Sequence, residues 1–214
     1  MVRTRADSRE NRPVQLADLP IPDTTATRTA TEVLQRYAAP ALVNHAIRAG
    51  HWAAAYGRLT GIGYDPELLH VAALLHDLGL EEPFDSHRLP FEVAGGHLAW
   101  VFGAGAGWEP ARRERLGWIV VRHMWDDVDP ALDPEGHLLE RATSLDISGR
   151  RAQEWPADLR AEVLAAWPRL DLAERFTACF ADQAARKPDS SAAAAVRSGL
   201  ADRIAANPLD AREP

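Results

Sequence analysis

The stretch from Asp65 to Gly79, DPELLHVAALLHDLG, is written as a helix with both ends marked. Asp65 suits the N-cap, Pro66 the first helical position, Glu67 the positive end of the dipole, and Gly79 the stop. The same punctuation recurs along the chain. PALVNHAIRAGHWAAAYGRLTG opens on Pro40 and closes on Gly61. Seven further segments carry helical spacing: TATEVLQRYA, PFEVAGGHLAWVFGAG, EPARRERLGWIVVRHMW, PEGHLLERATSLDISG, PADLRAEVLAAW, DLAERFTACFADQAARK and SSAAAAVRSGLADRIAA. Gly95 and Gly96 weaken the helix they fall in, because glycine loses more backbone entropy than other residues. No segment alternates apolar and polar residues with β-branched enrichment, and short hairpin turns are missing. The expected fold is therefore all-α, a bundle of about eight or nine helices, with no fixed-period repeat that would mark a solenoid.

Residues 1–24 hold Pro13, Pro20 and Pro22 amid polar residues and read as an extended N-terminal arm. A single domain is expected over 25–207, followed by a short tail over 208–214. Hydrophobic residues make up 46% of the 214, enough for a core. The net charge is −7 and the isoelectric point about 5.6, so no general attraction to nucleic acid or to anionic membranes is expected. Four arginines in the first twelve residues are diluted by Asp7 and Glu10, which suits a solvated tail. The lone cysteine, Cys179, excludes an intrachain disulfide and sits in an apolar run that suggests a buried thiol. No apolar run reaches the roughly 18 residues of a membrane span, and no signal peptide opens the chain. The reading is a soluble, cytoplasmic protein. The polar, proline-bearing loops at 80–90 and 125–135 are expected to wall a pocket.

The chemistry is concentrated in histidines and acids. His76 and Asp77 close the apolar run LLHVAALL, and a buried lone carboxylate costs several kcal/mol unless it is paired or binds metal. An imidazole and a carboxylate at one helix end supply two ligand types that zinc and iron favour. His45 lies mid-helix among Ala41, Leu42, Ala46, Ile47 and Ala49. Asp146 sits near a helix C-terminus, where the dipole disfavours negative charge and a bound cation would offset the penalty. His123 follows four apolar residues in WIVVRHMW.

In order these are His, His-Asp, His and Asp, each on its own helix. With the segments NHAIRAGHWA, ELLHVAALLHDLGL, PFEVAGGHLA, VRHMWDDVD, GHLLERATSLDISG and FADQAARKPDSS, the chain resembles the HD superfamily of metal-dependent hydrolases. It looks most like the branch that contains cyanamide hydratases, over about Asp23 to Pro188. The resemblance implies an HD-domain helical bundle and one divalent metal, zinc first and Fe2+ second. His45, His76, Asp77 and Asp146 match the family's four ligands, and His123 matches a catalytic acid/base.

Glu92 matches a carboxylate that bonds a ligand histidine or caps a helix, while Arg48, Arg122, Trp125 and His97 are candidates for the pocket or for groups behind the ligands. His97 and His123 together have the spacing of a second metal site. His51 and His70 point off the ligand faces, His87 lies in a loop and His137 opens a helix. The implied reaction is addition of water, as a metal-activated hydroxide, to a small polar substrate of nitrile or amide type. The alternative is an HD-type phosphohydrolase acting on a nucleotide or phosphate ester, with Arg48, Arg88 and Arg122 as phosphate anchors. The acids after the doublet (Glu81, Glu82, Asp85) and after His123 (Asp126, Asp127, Asp129) argue against a polyanion. Two departures stand out: Leu80 and Glu81 follow the doublet where the branch often has Thr, and Met124 and Trp125 follow His123 where relatives commonly carry Thr or Gln. The helices beyond Pro156 are expected only to complete the bundle. The apolar face around FTACFADQAARK is also suited to a homo-oligomer.

Overall fold

The computed structural model describes residues 13–19 and 21–210, and within them the protein is entirely helical. Ten α-helices follow in order: α1 Thr25–Tyr37, α2 Pro40–Thr60, α3 Pro66–Leu75, α4 Phe91–Gly105, α5 Pro110–Arg122, α6 Pro134–Ser148, α7 Ala157–Ala166, α8 Leu172–Arg186, α9 Ser191–Arg197 and α10 Leu200–Ala205. The ends obey local chemistry. Thr24 and Thr27 form a reciprocal capping box at α1. Asp65 accepts from the Leu68 amide at 3.0 Å and Asp133 from the Gly136 amide at 3.0 Å. Pro40, Pro66, Pro110 and Pro134 each occupy a first turn, where a missing N–H costs nothing. The expected last helix divides into α9 and α10 at Gly199, whose φ is 81°.

α3 is the axis of the bundle. Every residue from Leu68 to Leu75 is buried, with α1, α2, α5 and α6 packed around it. Each of its leucines contributes roughly 2 kcal/mol by leaving water. Trp52, Leu138, Leu139 and Trp155 extend the same core. A second cluster joins Ala41, Phe91, Ile147, Phe176 and Phe180 with Leu200 and Ile204, and so ties α8 to α10 onto the near ends of α2, α4 and α6.

Gly79 does not end α3. The helix stops at Leu75, His76 and Asp77 form a turn, and Leu78–Leu80 form one turn of 3-10 helix. A Cβ on Gly79 would lie 2.1 Å from the Phe91 carbonyl oxygen, so this glycine permits close approach to the start of α4. Gly96 plays the same part between α4 and α5: its Cβ would meet Val121 at 2.8 Å and the Gly117 carbonyl at 3.0 Å. The cost of glycine in α4 is thus offset by tight helix pairing.

Part of the expected arm packs down. Val14 and Leu19 are buried, and the Leu16 amide donates to Glu162 of α7 at 2.8 Å. Residues 1–12, with the four arginines, lie outside the described residues. Within the expected tail, Leu209 is buried and Asp210 pairs with Arg169. Cys179 is exposed rather than buried, because α8 turns Leu172, Phe176, Phe180 and Gln183 inward instead. No helix among the described residues is long and apolar enough to cross a membrane.

Candidate metal centre

α2 and α3 run antiparallel, and their sequences bring His45 to His76 across the seam. His45 and His76 are fully buried and Asp77 nearly so. Their hydrogen bonds decide which ring nitrogens remain. His45 Nδ1 donates to Asp146 Oδ2 at 2.6 Å, and His76 Nδ1 donates to the Ala73 carbonyl at 2.7 Å. His123 Nδ1 donates to the Val120 carbonyl. A carbonyl or carboxylate only accepts, so the Nδ1 proton of each ring is assigned and Nε2 points inward. Nε2 of His45 and of His76 lie 3.1 Å apart, and they stand 3.2 and 3.1 Å from Asp77 Oδ2. One donor atom from each of His45, His76 and Asp77 falls within 4.8 Å of the other two, which makes the trio a group able to hold a metal ion. It is the only such group among the described residues.

The chemistry of the trio fits a cation. Neither oxygen of Asp77 accepts a well-formed hydrogen bond, although both are buried. A buried carboxylate left in that state is costly unless a positive charge completes it. Burial would raise the Asp77 carboxyl, but the charge of His76 and the contacts from His123 and His45 outweigh it and hold it well below the usual range. Burial would lower His45; Asp146 and Asp77 overcome that and raise it. Burial dominates at His76 and lowers it.

Asp146, expected as a fourth ligand, does not join the group. Its carboxylate receives Arg48 Nε at 2.9 Å, Arg48 Nη2 at 2.7 Å and Trp52 Nε1 at 2.9 Å, besides His45. His45, Arg48 and Trp52 are spaced i, i+3 and i+7, so one face of α2 encloses the acid. The cation that offsets its position at the end of α6 is the Arg48 guanidinium, which is fully buried with it. Asp146 thus stands behind His45 and fixes its tautomer and angle. Arg48, in turn, does not reach the cavity.

His123 lies just outside the trio, its Nε2 3.5 Å from Asp77 Oδ1 and its ring edge-on to His76. Glu92 is buried but accepts from Ser191 at 2.6 Å, not from a ligand histidine. Arg122 donates to Asp133 at 2.6 Å and its guanidinium lies near the Trp118 and Trp125 rings, so it is engaged away from the trio. His97 is exposed on α4 and lines a separate groove with Trp100 and Trp118, so it does not build a second metal site with His123. His87 is exposed, while His137 is buried and donates to the Val128 carbonyl at 2.7 Å.

Above the trio opens a cavity of about 380 Å³. His45, His76, Asp77 and His123 form its floor; Met124, Trp125 and Asp126 form one side; Thr143, Ser144, Ile147, Ser148 and Arg150 form another. The 125–135 loop contributes as expected, through Trp125 and Asp126. The 80–90 loop does not: its Asp85 pairs with Arg186 and Lys187 instead, which also removes it from any repulsion of a polyanion. The remaining wall was missed in the sequence. Phe176, Phe180, Ser191, Ala194, Leu200 and Arg203 come from α8, α9 and α10; Phe180 and Ser191 bound the FADQAARKPDSS segment, and the other four lie outside every segment that carries the resemblance. Comparison with known proteins finds no matching family model and no matching curated protein.

Proposed function

We propose that the protein is a mononuclear metal-dependent hydrolase or hydratase of the HD type, adding water to a small polar substrate of nitrile or amide class. The observation that carries this reading is the buried trio of His45, His76 and Asp77, whose carboxylate lacks hydrogen-bond partners at the floor of a cavity. Zinc is the first choice for two imidazoles and a carboxylate, with Fe2+ second. A divalent ion held by His45, His76 and Asp77 would supply Lewis acidity for activating water. The chain's own groups do the rest. Asp146 and Arg48 hold the His45 ring at its working angle. His123 donates its Nδ1 proton to the Val120 carbonyl, which leaves Nε2, beside Asp77, to take a proton from water and deliver it to a substrate nitrogen. Ile147, Phe176 and Phe180 keep bulk water from that side of the floor. A small-molecule substrate and a cytoplasmic setting belong to the same reading; the lone cysteine supports the latter.

The test is metal content per chain by elemental mass spectrometry on untagged protein, followed by turnover of small nitriles and amides. One equivalent of zinc or iron, lost in His76→Ala together with turnover, is expected. No metal after reloading, with wild-type turnover in His76→Ala, would sink the proposal. A phosphohydrolase is the second reading, favoured by Arg150 and Arg203 in the cavity wall. Two of the arginines first considered for phosphate, Arg48 and Arg122, are committed to Asp146 and Asp133. Hydrolysis across a nucleotide panel with manganese would promote this alternative.

A further inference from the structure

Five hydroxyls line the cavity, and each donates its proton to the protein. Ser191 Oγ donates to the Glu92 carboxylate at 2.6 Å and Ser144 Oγ to the Glu140 carboxylate at 2.9 Å. Thr143 donates to the Glu140 carbonyl, Ser148 to the Ser144 carbonyl and Ser198 to the Ala195 carbonyl, at 3.2, 2.8 and 2.9 Å. Carbonyl and carboxylate oxygens only accept, so these hydroxyls keep lone pairs, not protons, for a visitor. The two arginines of the wall are turned onto protein acceptors. Arg150 reaches Glu140 at 3.5 Å, and Arg203 bonds the Ser198 carbonyl and hydroxyl. The remaining polar wall includes Asp126, another acceptor. Phe176, Phe180, Ile147 and Leu200 supply an apolar side.

We propose that this cavity selects a molecule that presents N–H donors on an apolar body, with Ser191 and Ser144 as the specificity-determining acceptors. This rests on the proposed function only in taking the cavity above His76 and Asp77 as the substrate's place. Its volume of about 380 Å³ lies in the range of pockets for whole organic molecules, roughly 300–1,000 Å³, so the body is much larger than cyanamide. At Ser191 and Ser144, acceptor-rich ligands meet lone pairs facing lone pairs. A site built to bond an N–H rejects the analogue that lacks it, because the buried acceptor is left unpaired.

The test is isothermal titration calorimetry on metal-loaded protein with benzamide, methyl benzoate and N,N-dimethylbenzamide. All three carry the same ring and carbonyl, and only benzamide has N–H donors. Benzamide is expected to bind about tenfold tighter or more than either analogue. The preference should fall toward one in Ser191→Ala and in Ser144→Ala, with metal content unchanged. Glu92→Gln goes further: its amide nitrogen can donate to Ser191 and release the hydroxyl proton toward the cavity, so the ester should gain and the amide lose. That reversal is not the signature of a merely loosened fold. Equal or tighter binding of the ester, or no binding of benzamide at millimolar concentration, overturns the inference. Metal content of the same samples separates the two claims. Metal without amide preference removes the donor reading alone, and amide preference without metal removes the metal reading alone.

Discussion

The seam between α2 and α3 carries two buried histidine pairs, one toward each end. His45 meets His76 at one end, while His51 and His70 line a single small cavity at the other, beneath Leu19 and Pro22. The spacing is the same on both helices, six residues from one histidine to the next. The difference is in the acids. The first pair has Asp77 and Asp146 against it; the second has none within bonding reach, and His51 stacks on Trp167 with its Nε2 unpartnered. Burial then lowers His51 to a pKa of about 4, and burial with the charge of His51 lowers His70 to about 4. Both stay neutral and serve as packing. Histidines in a core do not by themselves make a group able to hold a metal ion; the first pair forms one with Asp77, and the second has no acid to complete it.

The largest expected effect is on metal. His76→Ala should lower metal affinity by more than about a hundredfold, since even partners behind the ligands are worth ten- to a hundredfold, while His70→Gln should leave one equivalent bound. Equal metal content in the two variants, measured by elemental mass spectrometry after equilibrium dialysis, would erase the distinction between the ends.

Next comes the support of the acidic end. Arg48→Met leaves Asp146 buried without its guanidinium and should cost about 3–5 kcal/mol in urea unfolding. Adding Asp146→Leu should return part of that loss, because the unpaired charge goes with it. A single-variant cost below about 1 kcal/mol would mean that His45 and Trp52 suffice to hold the acid.

The apolar end should show itself in the acid limb of stability. The folded pKa of His51 and His70 is depressed to about 4 from the ordinary 6.5. Between those values the unfolded chain binds more protons, so stability is full above about pH 6.5 and falls as pH drops toward 4. Each histidine contributes at most ~3 kcal/mol of that loss. His51→Gln with His70→Gln should flatten the limb in a series of unfolding curves; an unchanged slope would locate the protons elsewhere. At the other end His45 is raised and His76 lowered, and their slopes oppose each other. The smallest effect is expected from His97→Ala, which should change metal content not at all and stability by less than about 0.5 kcal/mol.

Much of this contrast was legible in the residues. N-caps, first-turn prolines and apolar spacing are local, and they placed nearly every helix. A polar doublet at the end of an eight-residue apolar run pointed to His76 and Asp77, because ionisable groups are buried there only with a partner. The fate of Asp146 was not legible. Its bond to Arg48 and Trp52 depends on how α6 meets one face of α2, and nothing within either helix encodes that distance. The wall from α8 to α10 was hidden for a similar reason: serines and alanines carry no pattern until a neighbouring helix brings them over a cavity.

The sequence by itself determined the all-α class, most helix boundaries and the residues able to bind a cation, since these follow from spacing, capping and the cost of burying charge. Only the tertiary structure decided which acid joins His45 and His76 in the group able to hold a metal ion and which stands behind a histidine, and which way the hydroxyls of the cavity point. Two of those outcomes rest on hydrogen bonds between residues about 100 positions apart along the chain, His45 with Asp146 and Ser191 with Glu92, and packing alone brings such partners together; the other cavity hydroxyls bond within their own helix, and only packing turns them over the cavity.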